Sequence, residues 1–238
     1  MHSTHPTTQP RIMKYVLLLL AVLTFSCGND KSVLLPEITH AKITEVTDIS
    51  PAYLFYDATK PDSIELNRGN LITTTNWLVN VDKRLTLKQA IPKIITLQDK
   101  KRNAEVHKND NARNYYTCND TSIKNLGFLE FTDVIYKLNS IAPNVSPDYD
   151  NLSTHKIILD FKNPSDIKLV TILKDSILKK STLQTLKADV ESLPKVGTYE
   201  MILNMSEKLT FQDYISFKSI LSKIEPSVMT LNVNEFIY

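Results

Sequence analysis

The chain opens polar, becomes apolar from Tyr15 to Phe25 with Thr24 as the one polar residue, and turns polar again directly after Cys27. Those eleven residues are too few to span a membrane, which takes roughly 20. They match the apolar segment of a secretory signal, with Arg11 and Lys14 as its positive flank. Met13 opens "MKYVLLLLAVLTFSC", a complete signal by itself. The expected cut falls after Ser26, so residues 1–26 are a signal peptide and 27–37, low in hydrophobicity and holding Pro36, a tether.

Beyond the tether the pattern alternates and then changes period. "KITEVTDI" (42–49), "AYLFYD" (52–57) and "SIELN" (63–67) predict strands, with "TKPDS" (59–63) as a turn. In "LITTTNWLVNVD" (71–82) every second residue from Leu71 to Val81 shares one face, Trp77 among them. Helical spacing follows. Thr86 and Gln89 form a capping box, and Leu87, Ala90, Ile91, Ile94 and Ile95 make one stripe. Pro92 predicts a kink or a separate first turn, and the helix fades in polar residues after Gln98. "LGFLEFTDVIYKL" (126–138) predicts the strand that closes this first domain, 38–138. Two prolines and no periodicity mark 139–153 as a linker. The second domain, 154–238, reads as strands 155–161 and 167–173, helix 181–193, strand 199–205, helix 210–224 and strand 228–238. That β-β-α-β-α-β order, with two amphipathic helices on one face of a small sheet, predicts an α+β fold built as two-layer sandwiches.

Two resemblances accompany this pattern. "LTFSCGND" resembles the relaxed lipobox of Bacteroidota lipoproteins, and the whole chain resembles lipoproteins of Flavobacterium-type bacteria. That implies a diacylglycerol on the Cys27 thiol, an acylated new N-terminus and a lipid anchor in the cell envelope, at the outer membrane. Leu23 lies one place early and Phe25 is bulky for the strict pattern. Residues 168–238, a strand pair and then "STLQTLKADVESL" (181–193) through "NVNEFIY" (232–238), resemble the periplasmic domain of the ExbD/TolR family. The resemblance implies that fold and a habit of binding envelope partners. Members of that family carry a membrane helix with a proton-relay aspartate. The apolar run here holds no acid, so energy transduction is not implied.

Charge and glycine narrow the functional classes. Without the signal the basic and acidic residues are equal in number, since the whole chain's excess of two bases is Arg11 and Lys14. A neutral body offers no field for nucleic acid; "DKKR" at 99–102 reads as a solvated helix face. Gly28, Gly69, Gly127 and Gly197 are far apart, so neither a P-loop nor a dinucleotide fingerprint exists. Cys118 has no second cysteine in the chain once Cys27 is acylated, and reads as a partly buried free thiol.

Candidate chemistry is thin. His40, His107 and His155 have no ligands at metal spacing. Asp148, Asp150 and Asn151 resemble the start of a calcium loop but lack its turn glycine and distal Glu. Cys118, His107 and Asp120 supply the residue types of a thiolate, base and orienting acid; only spatial contact would make them a site. Asp57, Asp62 and Glu65 surround an expected turn, where solvated carboxylates are ordinary. Among aromatic residues Trp77 is expected in the core, and Tyr115 and Tyr116 as the exposed pair. With Tyr53, Phe55 and Tyr56 they are candidates to line a glycan or peptide groove. "DSI" at 62–64 and 175–177 fits an O-glycosylation pattern of Bacteroidota. The expectation is therefore a non-enzymatic envelope lipoprotein without cofactor or metal, binding a protein partner. The alternative is an envelope hydrolase or glycan-binding protein using 38–138.

Overall fold

The computed structural model describes residues 31–59, 64–104, 109–139, 154–171, 176–194 and 197–238. The expected signal, Cys27, Asp62, His107, nearly all of the expected linker with Asp148, Asp150 and Asn151, and Asp175 lie outside them. Residues 33–238 form one compact unit.

The fold is mixed α+β, with two six-stranded sheets among the described residues. The first sheet holds β1 (Glu37–Ile38), β2 (Ile49–Phe55), β3 (Glu65–Asn67), β4 (Asn76–Val81), β5 (Asn114–Asp120) and β6 (Asn125–Glu130). Its order is β3-β2-β4-β5-β6, with β1 also beside β5. The second holds β7 (Ile135–Lys137), β8 (Thr154–Asn163), β9 (Asp166–Thr171), β10 (Ser176–Ser181), β11 (Thr198–Met205) and β12 (Met229–Ile237), in the order β10-β9-β8-β11-β12-β7. β2, β4 and β5 run parallel, as do β8, β11, β12 and β7; β3, β6 and β9 are antiparallel to their neighbours. Helix α1 (Leu87–Arg102) connects β4 to β5, α2 (Leu186–Glu191) precedes β11, and α3 (Phe211–Leu221) connects β11 to β12. The parallel crossovers β4 to β5, β8 to β11 and β11 to β12 each carry a helix, as is usual, whereas β2 reaches its parallel neighbour β4 through β3 and turns.

Both long helices start where their capping boxes place them. Thr86 and Gln89 cap α1 reciprocally, as do Thr210 and Asp213 for α3. Pro92 does not interrupt α1. It lies on the exposed side with Lys88, whose carbonyl loses its usual donor. The apolar stripes of α1, α2 and α3 join one core with the inward rows of both sheets: Ala52, Leu54, Trp77, Val79 and Val81 from the first, Ile157, Leu159, Met201 and Leu203 from the second.

Several expected elements differ. "KITEVTDI" is β-branched yet forms only an isolated bridge from Ile43 to Phe128, and Asp48, at φ 49, turns the chain into β2. Residues 71–75 are largely turn, so the alternating run yields a strand only from Asn76. The expected strand 126–138 is two strands on different sheets, split by a turn in which Val134 N–H donates to the Phe131 carbonyl. The C-terminal order gains β10 before its first helix. That helix is confined to 186–191, because Ser181 ends the strand and residues 182–185 form a hydroxyl-rich turn. The letters of β5, "NYYTCND", are mostly polar and carry no strand pattern. The segment is a strand because β4, β1 and β6 satisfy its backbone on both sides. The tether's end is also held: Leu34 and Pro36 accept from Lys83 N–H and Asn119 N–H.

Candidate functional site

The carboxyl ends of parallel strands, next to helix N-termini, are where open α/β sheets bind ligands. Here the two such ends face each other. Leu87 N–H donates to the Leu209 carbonyl (2.9 Å) and Phe211 N–H to the Leu85 carbonyl (2.7 Å). Lys88 N–H reaches the Glu207 carbonyl (2.9 Å) and Gln212 N–H the Lys83 carbonyl (3.1 Å). Each helix's first-turn donors are therefore spent on the other helix's entry loop. The N3 donors go to the Thr86 and Thr210 hydroxyls. An anion would have to displace these bonds.

Behind this seam runs a buried polar line. Tyr116 (β5) and Tyr136 (β7) share a hydrogen bond of 2.6 Å, Tyr136 and Tyr214 (α3) one of 2.9 Å, and Tyr214 donates to Glu235 (β12) at 2.9 Å. Lys218 of α3 closes the line by pairing with Glu235. The Glu235 side chain is 1% exposed and Lys218 14%. Burial raises all three phenols well above their ordinary range, with neighbouring phenol and Glu235 charge adding to it. With every member bonded, the line ties β5, β7, α3 and β12 together; it holds no free nucleophile.

The sequence-predicted candidates separate. Cys118 is a free, wholly buried thiol on the inward face of β5; burial, with the Asp120 charge adding, pushes its pKa up, so the thiolate is disfavoured. Asp120 is a brace: it accepts from Ser122 N–H and Oγ and from Ala41 N–H, which hold its carboxyl down to about 2. Asp57 caps its own turn through Thr59 N–H and Oγ1. His40 is exposed at φ 51, and His155 lies against Tyr199. Among the described residues no group of three or more His, Cys, Asp or Glu could hold a metal, and no helix is long and apolar enough to cross a membrane.

The aromatic expectation is corrected at one position. Tyr116 is core, stacked on Phe131 at 3.8 Å. Trp77 is core as expected, and Lys101 of "DKKR" does not stay in solvent: its ammonium sits 4.9 Å from the indole centroid and donates to Thr75 O, Arg113 O and Asn114 Oδ1. Burial, with Arg113 adding, lowers the Lys101 pKa to about 8. Tyr53, Phe55 and Tyr115 alternate with inward residues and lie on the first sheet's outward face. There Tyr53 stacks on Phe55 (6.0 Å) and Tyr115 meets Phe128 edge-on (6.5 Å). The Thr117 hydroxyl on that face is buried without a partner.

The second sheet ends differently. β10 is a terminal strand, with β9 on one side and no strand on the other among the described residues. Ile177 is 50% and Leu178 48% exposed. α2 braces the strand: Lys179 pairs with Asp189 (2.8 Å) and donates to Ser192 Oγ (2.9 Å), and Ser181 Oγ donates to Asp189 (2.7 Å). Cross-strand register carries an apolar row from Ile177 through Val170 and Ile158 to Ile202, on the face opposite the core rows. Neither Ile177 nor that edge was singled out by periodicity, since "SILKKS" alternates poorly; two adjacent apolar residues before a Lys pair are the only local signal. Compared with known proteins, the chain matches no family, no curated protein and no solved structure.

Proposed function

We propose that this chain is a non-enzymatic cell-envelope lipoprotein, anchored through Cys27, that binds a protein partner by strand addition at β10. The observation that carries this reading is the braced β10 edge. An edge strand presents unpaired N–H and C=O groups that recruit an extended segment, and side-chain pockets beside it select the sequence. Lys180 and the bulge between Ile177 and Lys179 are ordinary guards against edge-to-edge aggregation. They do not account for half-exposed Ile177, continuous with the row on Val170 and Ile158, or for half-exposed Leu178 beside it in the bulge. The partner that fits is an extended segment of an envelope protein with apolar residues at alternate positions. The α2 brace fixes the edge beforehand, which lowers the ordering cost of binding.

The test is crosslinking in native cells with a tagged copy, followed by identification of the crosslinked chain. Three variants run beside it: Ile177→Lys, Leu178→Lys and Cys27→Ala. One dominant envelope partner, lost in both edge variants and weakened in Cys27→Ala, is expected. A partner captured equally by the edge variants would refute strand addition at β10.

The second reading is glycan binding on the outward face of the first sheet, favoured by Tyr53, Phe55 and Tyr115. Glycan binding that Tyr53→Ala abolishes, with the edge variants unaffected, would support it over the first.

A further inference from the structure

The paired helix entries repeat each other residue for residue. Aligned at one constant offset, "NVDKRLT" (80–86) matches "NMSEKLT" (204–210). Asn80 and Asn204, Leu85 and Leu209, Thr86 and Thr210, Ile91 and Ile215, and Leu97 and Leu221 are identical pairs. Trp77, Val79 and Val81 align with Met201, Leu203 and Met205, all core residues. Leu78 and Ile202 also align; both are buried but lie outside the core, on the outward faces.

Main-chain geometry follows the same alignment. Asp82 N–H donates to Leu54 O and Ser206 N–H to Phe161 O. Leu85 N–H returns to Asp82 O and Leu209 N–H to Ser206 O, each at 3.1 Å. Asp82 Oδ1 accepts from Arg84 N–H, and Ser206 Oγ from Lys208 N–H. The sheet order β3-β2-β4-β5 matches β9-β8-β11-β12, each with its first pair antiparallel and the rest parallel. Lastly, the two copies touch at equivalent residues. Thr86 bridges Thr210. Leu87 to Leu209 is the counterpart of Phe211 to Leu85, and Lys88 to Glu207 that of Gln212 to Lys83. A contact in which residue i meets j while j's counterpart meets i's is isologous, the signature of a two-fold dimer.

We infer that this chain is a fused dimer: two copies of one β-β-β-α-β unit, the second carrying β10 and α2 inserted between its second and third strands, whose two-fold interface is closed within a single polypeptide. The surface around Leu85–Lys88 and Leu209–Gln212 is an interaction surface whose fitting partner is another unit of the same build, supplied here in cis. An outside partner must use other surfaces, and the two helix N-termini are not open to an anion.

Amide hydrogen exchange of the full chain, read residue by residue, tests this. First-turn helix donors ordinarily have no internal partner and exchange freely. The amides of Leu87, Lys88, Phe211 and Gln212 are expected to be protected. In Leu85→Ala and in Leu209→Ala, protection of all four should fall together, by tenfold or more and by similar factors. Thr86→Ala and Thr210→Ala serve as milder variants if either leucine variant fails to fold, and should weaken the same four amides. Sedimentation should give the mass of one chain. Free exchange at these four amides, loosening confined to the substituted half, or a dimer dispersed by the leucine variants would each overturn the inference.

Discussion

Helices α1 and α3 start alike and bury different chemistry. Both leave a Leu-Thr entry through a capping box, and both bury an isoleucine at the same place, Ile91 and Ile215. One position earlier, and again one turn on, they part: α1 places Ala90 and Ile94 in the core where α3 places Tyr214 and Lys218. The apolar pair needs only volume. The polar pair needs Glu235 and Tyr136, and obtains them from β12 and β7. One scaffold thus tolerates two solutions at matched positions, provided every buried polar group is bonded. The polar solution does not increase stability by itself, since desolvation offsets much of a buried pair's attraction. It does join β7, which follows the first unit in sequence, to the second unit's helix.

The largest effect is expected where the polar solution is half removed. Lys218→Met leaves Glu235 buried without its cation and should cost about 4 kcal/mol in denaturant unfolding. Lys218→Ile combined with Glu235→Leu carries the apolar solution of α1 across, and should recover most of that loss. A double variant as unstable as the single one would break the comparison.

Next come the shared positions. Ile91→Ala and Ile215→Ala each open a cavity in the same core and should cost about 3 kcal/mol. Equality is the point of this test: a large inequality in the two midpoints would mean that the matched entries sit in unlike packing.

A smaller effect separates the units by pH. The Asp120 carboxyl, held to about 2 by Ser122 and Ala41, belongs to the first unit. Its folded pKa lies below the unfolded value, so the stabilisation is present above about pH 4 and is lost as pH falls toward 2. Thermal midpoints of the wild type should drop over that window more steeply than those of Asp120→Asn. Parallel curves would remove Asp120 from the acid response.

The smallest change is optical. Trp77 is the only tryptophan in the chain, and the Lys101 ammonium lies over its ring. Its emission should shift with a midpoint near pH 8 as Lys101 loses its proton. The shift should be absent in Lys101→Met, and a transition persisting in that variant would assign it elsewhere.

Much of this was readable in advance for a local reason. Capping boxes, the α1 and α3 stripes, and the strands around Ile157, Met201 and Phe236 are set by neighbours within a few residues. β5 was not, because asparagine, tyrosine and aspartate form a strand only when other strands satisfy their backbone. β10 and the split between β6 and β7 escaped for the same reason. The repeat was present in the letters, in "NVDKRLT" and "NMSEKLT", but three identities in seven positions, with Lys83 opposite Glu207, carry little weight until both are seen to make the same turn. Nothing local placed Tyr116 in the core or Cys118 beyond chemistry; their burial depends on strands and helices remote in sequence.

By itself, then, the order of residues determined the α+β class, the two capped helices and the burial of Trp77, since periodicity and capping act over one or two turns of chain. Only the tertiary structure decided that β7 belongs to the second sheet, that Tyr116, Tyr136, Tyr214 and Glu235 form one line, that β10 is an edge, and that two helix entries satisfy each other. Those features rest on backbone donors and acceptors far apart in sequence. Their pairing follows from which surfaces meet, and no window along the chain contains both partners.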